Sequence, residues 1–200
     1  SQYDKAVVMD EFAGLDKGWN DPDMLMIGMN ELNDTMCRTH MAMWCMMNSP
    51  LMLGIDLRRV ARDDALYQII ANKELIALNQ DPRGIQAKRI FTTIASDAPD
   101  KDYITEHERC DILAKPLADG SVALCFINLS DHEWNERLSV TSEQIVKAIG
   151  DKMKSSEAFK NAKTYTVTNL WTGEQKEQSG CFEAGQLQAC ESITLRVTPV

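Results

Sequence analysis

The sequence lacks long apolar segments and any excess of basic residues. Its longest apolar stretches, such as 24–29 and 122–129, are far shorter than the roughly 18 to 20 residues that a membrane-spanning helix needs. Lys and Arg number 21 against 30 Asp and Glu, giving a net charge of -9. An acidic surface disfavours attraction to nucleic acid and to anionic lipid. We therefore expect neither a nucleic-acid partner nor a membrane partner.

The short motifs that bind metals, phosphates or redox groups are also missing. The six cysteines contain no CxxC pair, no His, Cys and carboxylate group has ligand spacing, and no glycine-rich phosphate loop occurs. The sequence thus predicts no metal and no cofactor. Six cysteines are too few for a disulfide scaffold, although Cys181 and Cys190 could pair across a hairpin. Unpaired cysteines and the missing signal peptide favour a bacterial cytoplasm over secretion, unless a signal preceded Ser1.

Enough apolar material is present for a folded core, and its distribution changes near residue 85. Apolar residues make up 44% and charged residues 26% of the 200 residues, as in ordinary globular proteins. Ten of the eleven methionines precede residue 53, whereas Thr- and Val-rich alternation follows residue 86. This shift predicts two domains, 1–85 and 86–200.

The first domain is predicted to alternate strands and helices. Asn33 or Asp34 can cap the first long helix, and Pro50 ends it. The Leu51–Gly54 run is wholly apolar, as in a strand buried on both faces. The predicted order, typical of an α/β barrel or a doubly wound sheet, is strand Met24–Ile27, helix Asn33–Met47, strand Leu51–Gly54 and helix Arg62–Ala71.

The second domain is predicted to be an antiparallel β-sandwich. Half-buried alternation favours this class, and one helix, Ser142–Gly150, interrupts it with Thr141 and Gln144 placed as a capping box. The predicted strands are Ala87–Thr93, Ile112–Pro116, Val122–Leu129, Lys163–Thr168 and Ile193–Val197.

The segment most suggestive of a site is 19–25, WNDPDML. Pro22 stiffens the backbone between Asp21 and Asp23 at the start of a predicted strand. Rigid polar loops at strand ends commonly form the sites of α/β proteins. On an extended chain the two carboxylates point to opposite faces, so at most one would face a pocket. The alternative is that both only brace the loop.

Four ordered blocks resemble the α-galactosidases of glycoside hydrolase family 27. They are Gly18–Leu25 (GWNDPDML), Arg38–Trp44 (RTHMAMW), Ser49–Arg58 (SPLMLGIDLR) and Ile76–Gly84 (IALNQDPRG). The resemblance is close over 10–93 and looser beyond, through Gly120–Ser130 and Asn169–Gly173. In the last of these the family more often has Asp before Leu-Trp.

The resemblance implies a fold and a location for the catalytic residues. The family has a (β/α)8 TIM barrel followed by an antiparallel β-sandwich, and its retaining mechanism uses two aspartates. Both aspartates lie upstream of the matched blocks, so this chain would begin in the sixth helix and hold no catalytic residue. We expect the intact enzyme to hydrolyse terminal α-linked galactose and the isolated chain to be inactive.

Few site residues can be carried over from the family. Asp23 matches an aspartate that accepts hydrogen bonds from galactose, and Met24 matches a methionine that packs beside the sugar. Trp19 and Asp21 match positions that are expected to hold the loop, with direct substrate contact as the alternative. Asp56 follows the eighth strand and is expected to cap the next helix, with a position at the pocket rim as the alternative. In addition, His40 is expected to be a packing histidine, and His107 and His132 form no triad with any Ser or Cys.

The sequence also leaves alternative functions open and implies binding partners for the chain. A related exo-glycosidase, an α-N-acetylgalactosaminidase or a β-L-arabinopyranosidase, would share these blocks, because the specificity-determining strand lies upstream. A non-catalytic carbohydrate-binding module would need surface aromatics such as Trp134 and Trp171 on one face. The expected partners are a galactose-terminated saccharide and either the missing N-terminal part of the barrel or a self-associating neighbour, which would cover an exposed methionine-rich segment from Met24 to Met52.

Overall fold

The computed structural model describes residues 1–29 and 31–200. The α-helices are α1 Gln2–Ala6, α2 Asp34–Met46, α3 Ala65–Ile70, α4 Lys73–Asn79, α5 Ser142–Ile149 and α6 Ser156–Asn161. The strands are β1 Lys88–Thr92, β2 Cys110–Pro116, β3 Val122–Asn128, β4 Leu138–Thr141, β5 Tyr165–Asn169, β6 Gln175–Gln178, β7 Cys181–Ala184 and β8 Ser192–Pro199. In the part of the chain so described, no helix combines the length and apolarity needed to cross a membrane.

Local capping sets the start of α2, but its end differs from the prediction. The side chain of Asn33 accepts a hydrogen bond from the Met36 N–H, which confirms Asn33 as the N-cap. The helix ends at Met46, before Pro50, and Asn48 adopts a positive φ of 56°. The chain therefore leaves the helix through the left-handed Asn48, two residues before it reaches Pro50.

The two predicted strands of the first domain are adjacent and parallel, but they are short. Leu25 and Leu53 form a parallel bridge, with the Leu25 N–H donating to the Met52 carbonyl at 2.7 Å and the Gly54 N–H to the Leu25 carbonyl at 3.0 Å. Met52 is 66% exposed and Leu53 36%. The prediction that Leu51–Gly54 is buried on both faces is therefore wrong for this chain.

After residue 85, the described chain forms one large and one small antiparallel sheet. The large sheet runs in the order β1-β2-β3-β8-β5-β6, and β4 pairs with β7 in the small one. All five predicted strands belong to the large sheet, whereas β4, β6 and β7 were not predicted. The helix α5 has the predicted capping box between Thr141 and Gln144.

The large sheet is covered on both faces. One face packs against α2 and α4 in a core that includes Met41 and Leu75 from the helices and Leu113 from β2. The other face packs against α5, α6 and the small sheet in a core that includes Ile112 and Phe159. The helical part and the sandwich consequently share one apolar core.

Two predictions about sulfur-containing side chains need correction. All six cysteines are free, with Cys181 exposed and Cys190 half-buried, so the suggested disulfide is absent. Much of the segment Met24 to Met52 is interior, because Met41, Met46 and Met47 are buried by the packing of α2. The exposed methionines of this segment lie near its two ends, at Met24 and Met52.

Candidate functional site

The loop before the first parallel segment is not extended at Asp23. This residue has a φ of 80°, a conformation that L-residues rarely adopt and that concentrates at functional sites. The Asp21 Oδ1 accepts a hydrogen bond from the Asp23 N–H at 2.9 Å, and the Asp23 Oδ1 accepts one from the Met24 N–H at 2.7 Å. The prediction of two carboxylates on opposite faces of a straight chain is therefore wrong, because these side chains fold back onto the backbone.

Side chains of helix α2 hold the backbone around Asp23 in position. The Trp44 indole N–H donates to the Asp23 carbonyl at 2.9 Å. The ring of His40 meets that of Trp44 edge-on at 4.0 Å, and its Nε2 accepts the Met26 N–H at 3.0 Å. Burial lowers the pKa of His40 to about 4, so the imidazole is a neutral acceptor near pH 7. The expected packing role of His40 is confirmed.

Asp23 and Met24 border an open cavity of about 390 Å³. Both side chains are exposed, and the cavity wall behind them is mainly apolar, with Met36 and Met43 from α2. Within the described residues, Asp23 supplies the one carboxylate that lines this cavity. Such a wall can accept hydrogen bonds from ligand hydroxyls and pack against an apolar ligand face. It offers no pair of carboxylates for acid/base and nucleophilic work.

Asn20 holds this loop in place, and the sequence did not single it out. Its Nδ2 donates to the Met9 carbonyl at 2.7 Å and to the Gln86 Oε1 at 2.8 Å. The Gln86 side chain in turn donates to the Ala6 carbonyl at 2.8 Å. The polar Asn between Trp19 and Asp21 was the available signal, but its partners lie too far away in sequence to be recognised.

The two outer residues of the predicted set lie away from the cavity. Trp19 is 41% exposed, and its ring lies against Gly84. Asp56 caps the 3-10 turn Leu57–Arg59 by accepting the Arg58 N–H at 3.1 Å, and it pairs with the Arg58 guanidinium at 2.8 Å. The structure therefore groups Asp21, Asp23 and Met24, while Trp19 and Asp56 lie elsewhere.

The remaining histidines lie near carboxylates instead of nucleophiles. His107 approaches Asp4 at 3.9 Å. The Nδ1 of His132 is 3.3 Å from Glu108 and 3.5 Å from Asp131, so these three exposed side chains bring their potential ligand atoms within 4.8 Å of one another. Sequence spacing gave no sign of this surface cluster, because Glu108 is distant from His132 along the chain.

Two family models match successive parts of the chain. The one described as Alpha galactosidase A matches residues 3–81. The one described as Alpha galactosidase C-terminal beta sandwich domain matches residues 107–197. The chain belongs to the α-galactosidases of glycoside hydrolase family 27.

Individual relatives of this family agree with the match. Alpha-galactosidase A of Cellvibrio japonicus is 31% identical over 204 residues, covering 100% of this chain and 45% of the relative. Alpha-N-acetylgalactosaminidase of Gallus gallus is 36% identical over 121 residues, covering 60% of this chain and 26% of the relative. The crystal structure of the α-galactosidase MEL1 from Saccharomyces cerevisiae superposes with a TM-score of 0.80 at 22% identity, covering 100% of this chain and 51% of that one.

The family fold accounts for the architecture seen here. The chain spans between about a quarter and about half of the length of these relatives. Helices α1 to α4 and the parallel segments are the C-terminal part of the family's TIM barrel, and the sheets, with α5 and α6, are the β-sandwich domain that follows. The short pairing of Leu25 with Leu53 is thus the contact between two neighbouring barrel strands.

Proposed function

We propose that the chain forms part of a retaining α-galactosidase that removes terminal α-linked galactose from oligosaccharides or glycoconjugates. In this proposal, 1–85 completes the TIM-barrel catalytic domain and 86–200 is the sandwich domain. The observation that carries it is Asp23, which is held at a positive φ at the edge of a cavity beside Met24. Backbone strain at a ligand-facing residue fits a binding role.

Asp23 is the galactose-binding carboxylate in this proposal. Its Oδ1 already accepts the Met24 N–H, so its other oxygen is available to accept hydrogen bonds from sugar hydroxyls. Met24 is 40% exposed and offers an apolar surface to the sugar ring. Asp21 orients Asp23 through its backbone N–H, and Trp19 and Asp56 support the surrounding loops.

Bond cleavage would require residues that this chain does not place in the cavity. Retaining hydrolysis uses two carboxyl groups about 5 to 5.5 Å apart, one as nucleophile and one as acid/base. Among the described residues, Asp23 is the only carboxylate that lines the cavity. We therefore assign both catalytic aspartates to earlier barrel strands and expect the 200-residue chain to bind sugar without cleaving it.

The missing part of the barrel is the proposed partner of 1–85, with a second copy of the chain as the alternative. Exposed apolar side chains occur along this region, including Phe12 at 60%, Leu15 at 72% and Leu57 at 56%. Among the described residues, no further strand pairs with the segments at Leu25 and Leu53 on the sides where a closed barrel has neighbouring strands. A monomeric chain that binds no apolar dye would contradict this pairing.

The test is hydrolysis of a chromogenic α-galactoside by the chain alone and with the N-terminal part of the barrel supplied as a second polypeptide. We expect no activity alone and activity in the reconstituted enzyme. In that enzyme, Asp23→Asn should lower kcat/KM by roughly 10- to 150-fold, since a hydrogen bond to a charged group contributes about 1.5–3 kcal/mol. The matched control, Asp56→Asn, should change it less than about threefold. Activity from the chain alone would refute the assignment.

A second candidate specificity is α-N-acetylgalactosaminidase, favoured by the 36% identity to the Gallus gallus relative. We infer that the group contacting the second carbon of the sugar lies on a barrel strand outside this chain. Comparing hydrolysis of matched α-galactoside and N-acetyl-α-galactosaminide substrates by the reconstituted enzyme separates the two. A preference of more than tenfold for the acetylated sugar would favour the alternative.

A further inference from the structure

Strand β1 contains an irregularity that redirects one aromatic side chain. Lys88 pairs with Ala114 and Phe91 pairs with Ile112, with a register shift between Arg89 and Phe91. Residues three apart on a regular strand face opposite sides of a sheet. The extra residue instead places Lys88 and Phe91 on the same face, opposite partners that are two apart. Bulges commonly redirect side chains in this way beside binding sites.

Phe91 and Lys88 face a cleft of about 520 Å³ on the sandwich. The cleft lies between β1, the segment 97–100, β4 and α5, far in sequence from the Asp23 cavity. Phe91 is 42% exposed although it belongs to a strand of the large sheet. An exposed flat ring in a concave surface is a typical platform for a ligand with an apolar face.

The segment 97–102, which forms one wall of the cleft, is held against β1 by hydrogen bonds and an ion pair. Arg89 is fully buried although it also lines the cleft, and its Nε donates to the Pro99 carbonyl at 2.6 Å. Its Nη2 also donates to the Asp102 carbonyl. Lys88 reaches Asp100 at 3.4 Å across the cleft. The segment 97–102 is therefore fastened to β1, and the cleft is preformed.

The polar groups of the cleft balance in charge and have unused hydrogen-bonding capacity. Lys88 and Lys147 face Asp97 and Asp100, and the guanidinium of Arg89, which also lines the cleft, is paired with the buried Asp111 at 3.8 Å. Among the described residues, the side chains of Asp97, Ser139 and Lys147 have no hydrogen-bond or ion-pair partner. The Asp97 carboxylate can accept hydrogen bonds, the Lys147 ammonium can donate them and the Ser139 hydroxyl can do both, so together they suit the hydroxyl groups of a ligand. The balance of charge favours a ligand with no net charge.

We propose that this cleft is a non-catalytic binding site for neutral, pyranose-containing oligosaccharides, with a sugar ring stacked on Phe91. Its C–H face packs on the aromatic ring while its hydroxyls bond to Asp97, Ser139 and Lys147. This site is independent of the hydrolytic role proposed above. The aromatics suggested by the sequence do not serve it, since Trp134 packs into the sandwich core and Trp171 lies under Arg38.

The experiment is titration of the 200-residue chain with raffinose, a neutral trisaccharide, followed by backbone amide shifts. We expect two separate sets of saturable shifts, one in 88–100 and 139–148 from the cleft and one around Asp23 from the cavity. Phe91→Ala should weaken binding in the cleft at least tenfold, and Phe91→Leu, which keeps apolar volume without a flat ring, should do the same. Phe12→Ala is the matched control at a more exposed phenylalanine outside the cleft, and it should leave the affinity unchanged.

The Asp23→Asn variant distinguishes sugar binding in the cleft from sugar binding in the Asp23 cavity. If the cleft binds sugar, Asp23→Asn leaves the shifts in 88–100 intact even if α-galactoside hydrolysis is lost in the reconstituted enzyme. Shifts in 88–100 that disappear in Asp23→Asn but persist in Phe91→Ala would overturn the proposal. Unchanged affinity of the cleft in folded Phe91→Leu, or no shifts in 88–100 at tens of millimolar raffinose, would overturn it too.

Discussion

Gly84 has a backbone conformation and surroundings that exclude a side chain. Its φ is 60°, and a Cβ there would lie 2.7 Å from Leu15 and 3.0 Å from Trp19. We expect Gly84→Ala to lower the free energy of unfolding by about 2–4 kcal/mol, combining left-handed strain with crowding. Urea unfolding measures the loss, and tryptophan fluorescence reports displacement of Trp19.

The matched control for Gly84 is Gly173, which separates strain from crowding. Gly173 has a φ of 74°, but no atom lies within 4 Å of its Cβ position. Gly173→Ala should therefore cost only the conformational part, about 1–2 kcal/mol. Equal losses in the two variants would show that Leu15 and Trp19 move aside freely.

The half-buried imidazole of His40 makes the free energy of unfolding depend on pH. Burial lowers its pKa to about 4, from an ordinary value near 6.5. Between these values the unfolded chain binds a proton that the folded chain does not, so the free energy of unfolding falls as pH decreases from about 6.5 to 4. The total loss from this residue is a few kcal/mol, since one pKa unit corresponds to about 1.4 kcal/mol.

Substitution of His40 by Gln tests this pH dependence. Gln retains an acceptor for the Met26 N–H but does not titrate, so His40→Gln should lose less stability than the unsubstituted chain between pH 7 and 5. Urea unfolding at each pH gives the difference. Parallel profiles for the two chains would contradict the assignment.

At the scale of elements, the sequence predicted best where local signals decide the structure. Helix α5 follows from the Thr141 capping box, and α2 follows from the Asn33 cap. Strand β6 was not predicted because Gln175–Gln178 is entirely polar, so it has no apolar alternation and forms only by pairing with β5. The local sequence of a strand does not specify which other strand it pairs with.

The candidate site shows the same limit. The WNDPDML segment pointed to its two aspartates, the family resemblance singled out Asp23 and Met24, and both of these border the cavity. The fold-back of the aspartate side chains onto the backbone was not predicted, because the segment was taken as extended, and Trp44 of α2, which donates to the Asp23 carbonyl, is distant in sequence. The neutral acceptor role of His40 likewise depends on burial against Trp44, which sequence spacing does not specify.

The capping box of α5 is a testable element. Thr141 accepts the Gln144 N–H at 3.2 Å, and the Gln144 side chain accepts the Thr141 N–H at 2.8 Å. Thr141→Ala should lower the free energy of unfolding by about 1 kcal/mol. Thr141→Ser keeps the hydroxyl and should retain most of the stability in the same urea titration. Equal losses for Ala and Ser would show that the hydroxyl contributes nothing.

At the scale of the whole molecule, the two parts of the chain are joined by more than their connecting segment. Leu113, Cys125 and Ile127 of the large sheet pack in the same core as the helices. Lys115 of β2 is fully buried and donates to the Asn48 side chain and, at 2.6 Å, to the Ile85 carbonyl. The division at residue 85 therefore separates architectures but not cores, so we expect the chain to unfold as one unit.

Arg109 provides the test of this single unit. Its Nη2 donates to Asp4 of α1 at 2.7 Å and its Nε to Asp111 of β2 at 3.1 Å, with all three side chains fully buried. Arg109→Met removes charge-assisted hydrogen bonds from two buried carboxylates, although Asp111 keeps Arg89 at 3.8 Å and Asp4 keeps the Ser1 hydroxyl, so it should cost at least about 1.5–3 kcal/mol. Far-ultraviolet ellipticity and tryptophan fluorescence should then fall together along one urea transition.

The control for Arg109 is an ion pair that lies within the sandwich and at its surface. Arg137 pairs with Glu183 at 3.3 Å, with side chains 77% and 42% exposed, so Arg137→Met should cost less than about 1 kcal/mol. If Arg109→Met cost no more than Arg137→Met, the buried network would not be what joins α1 to the sheet. If its two signals separated, with ellipticity lost before fluorescence, the barrel part and the sandwich would be independent units despite their shared core.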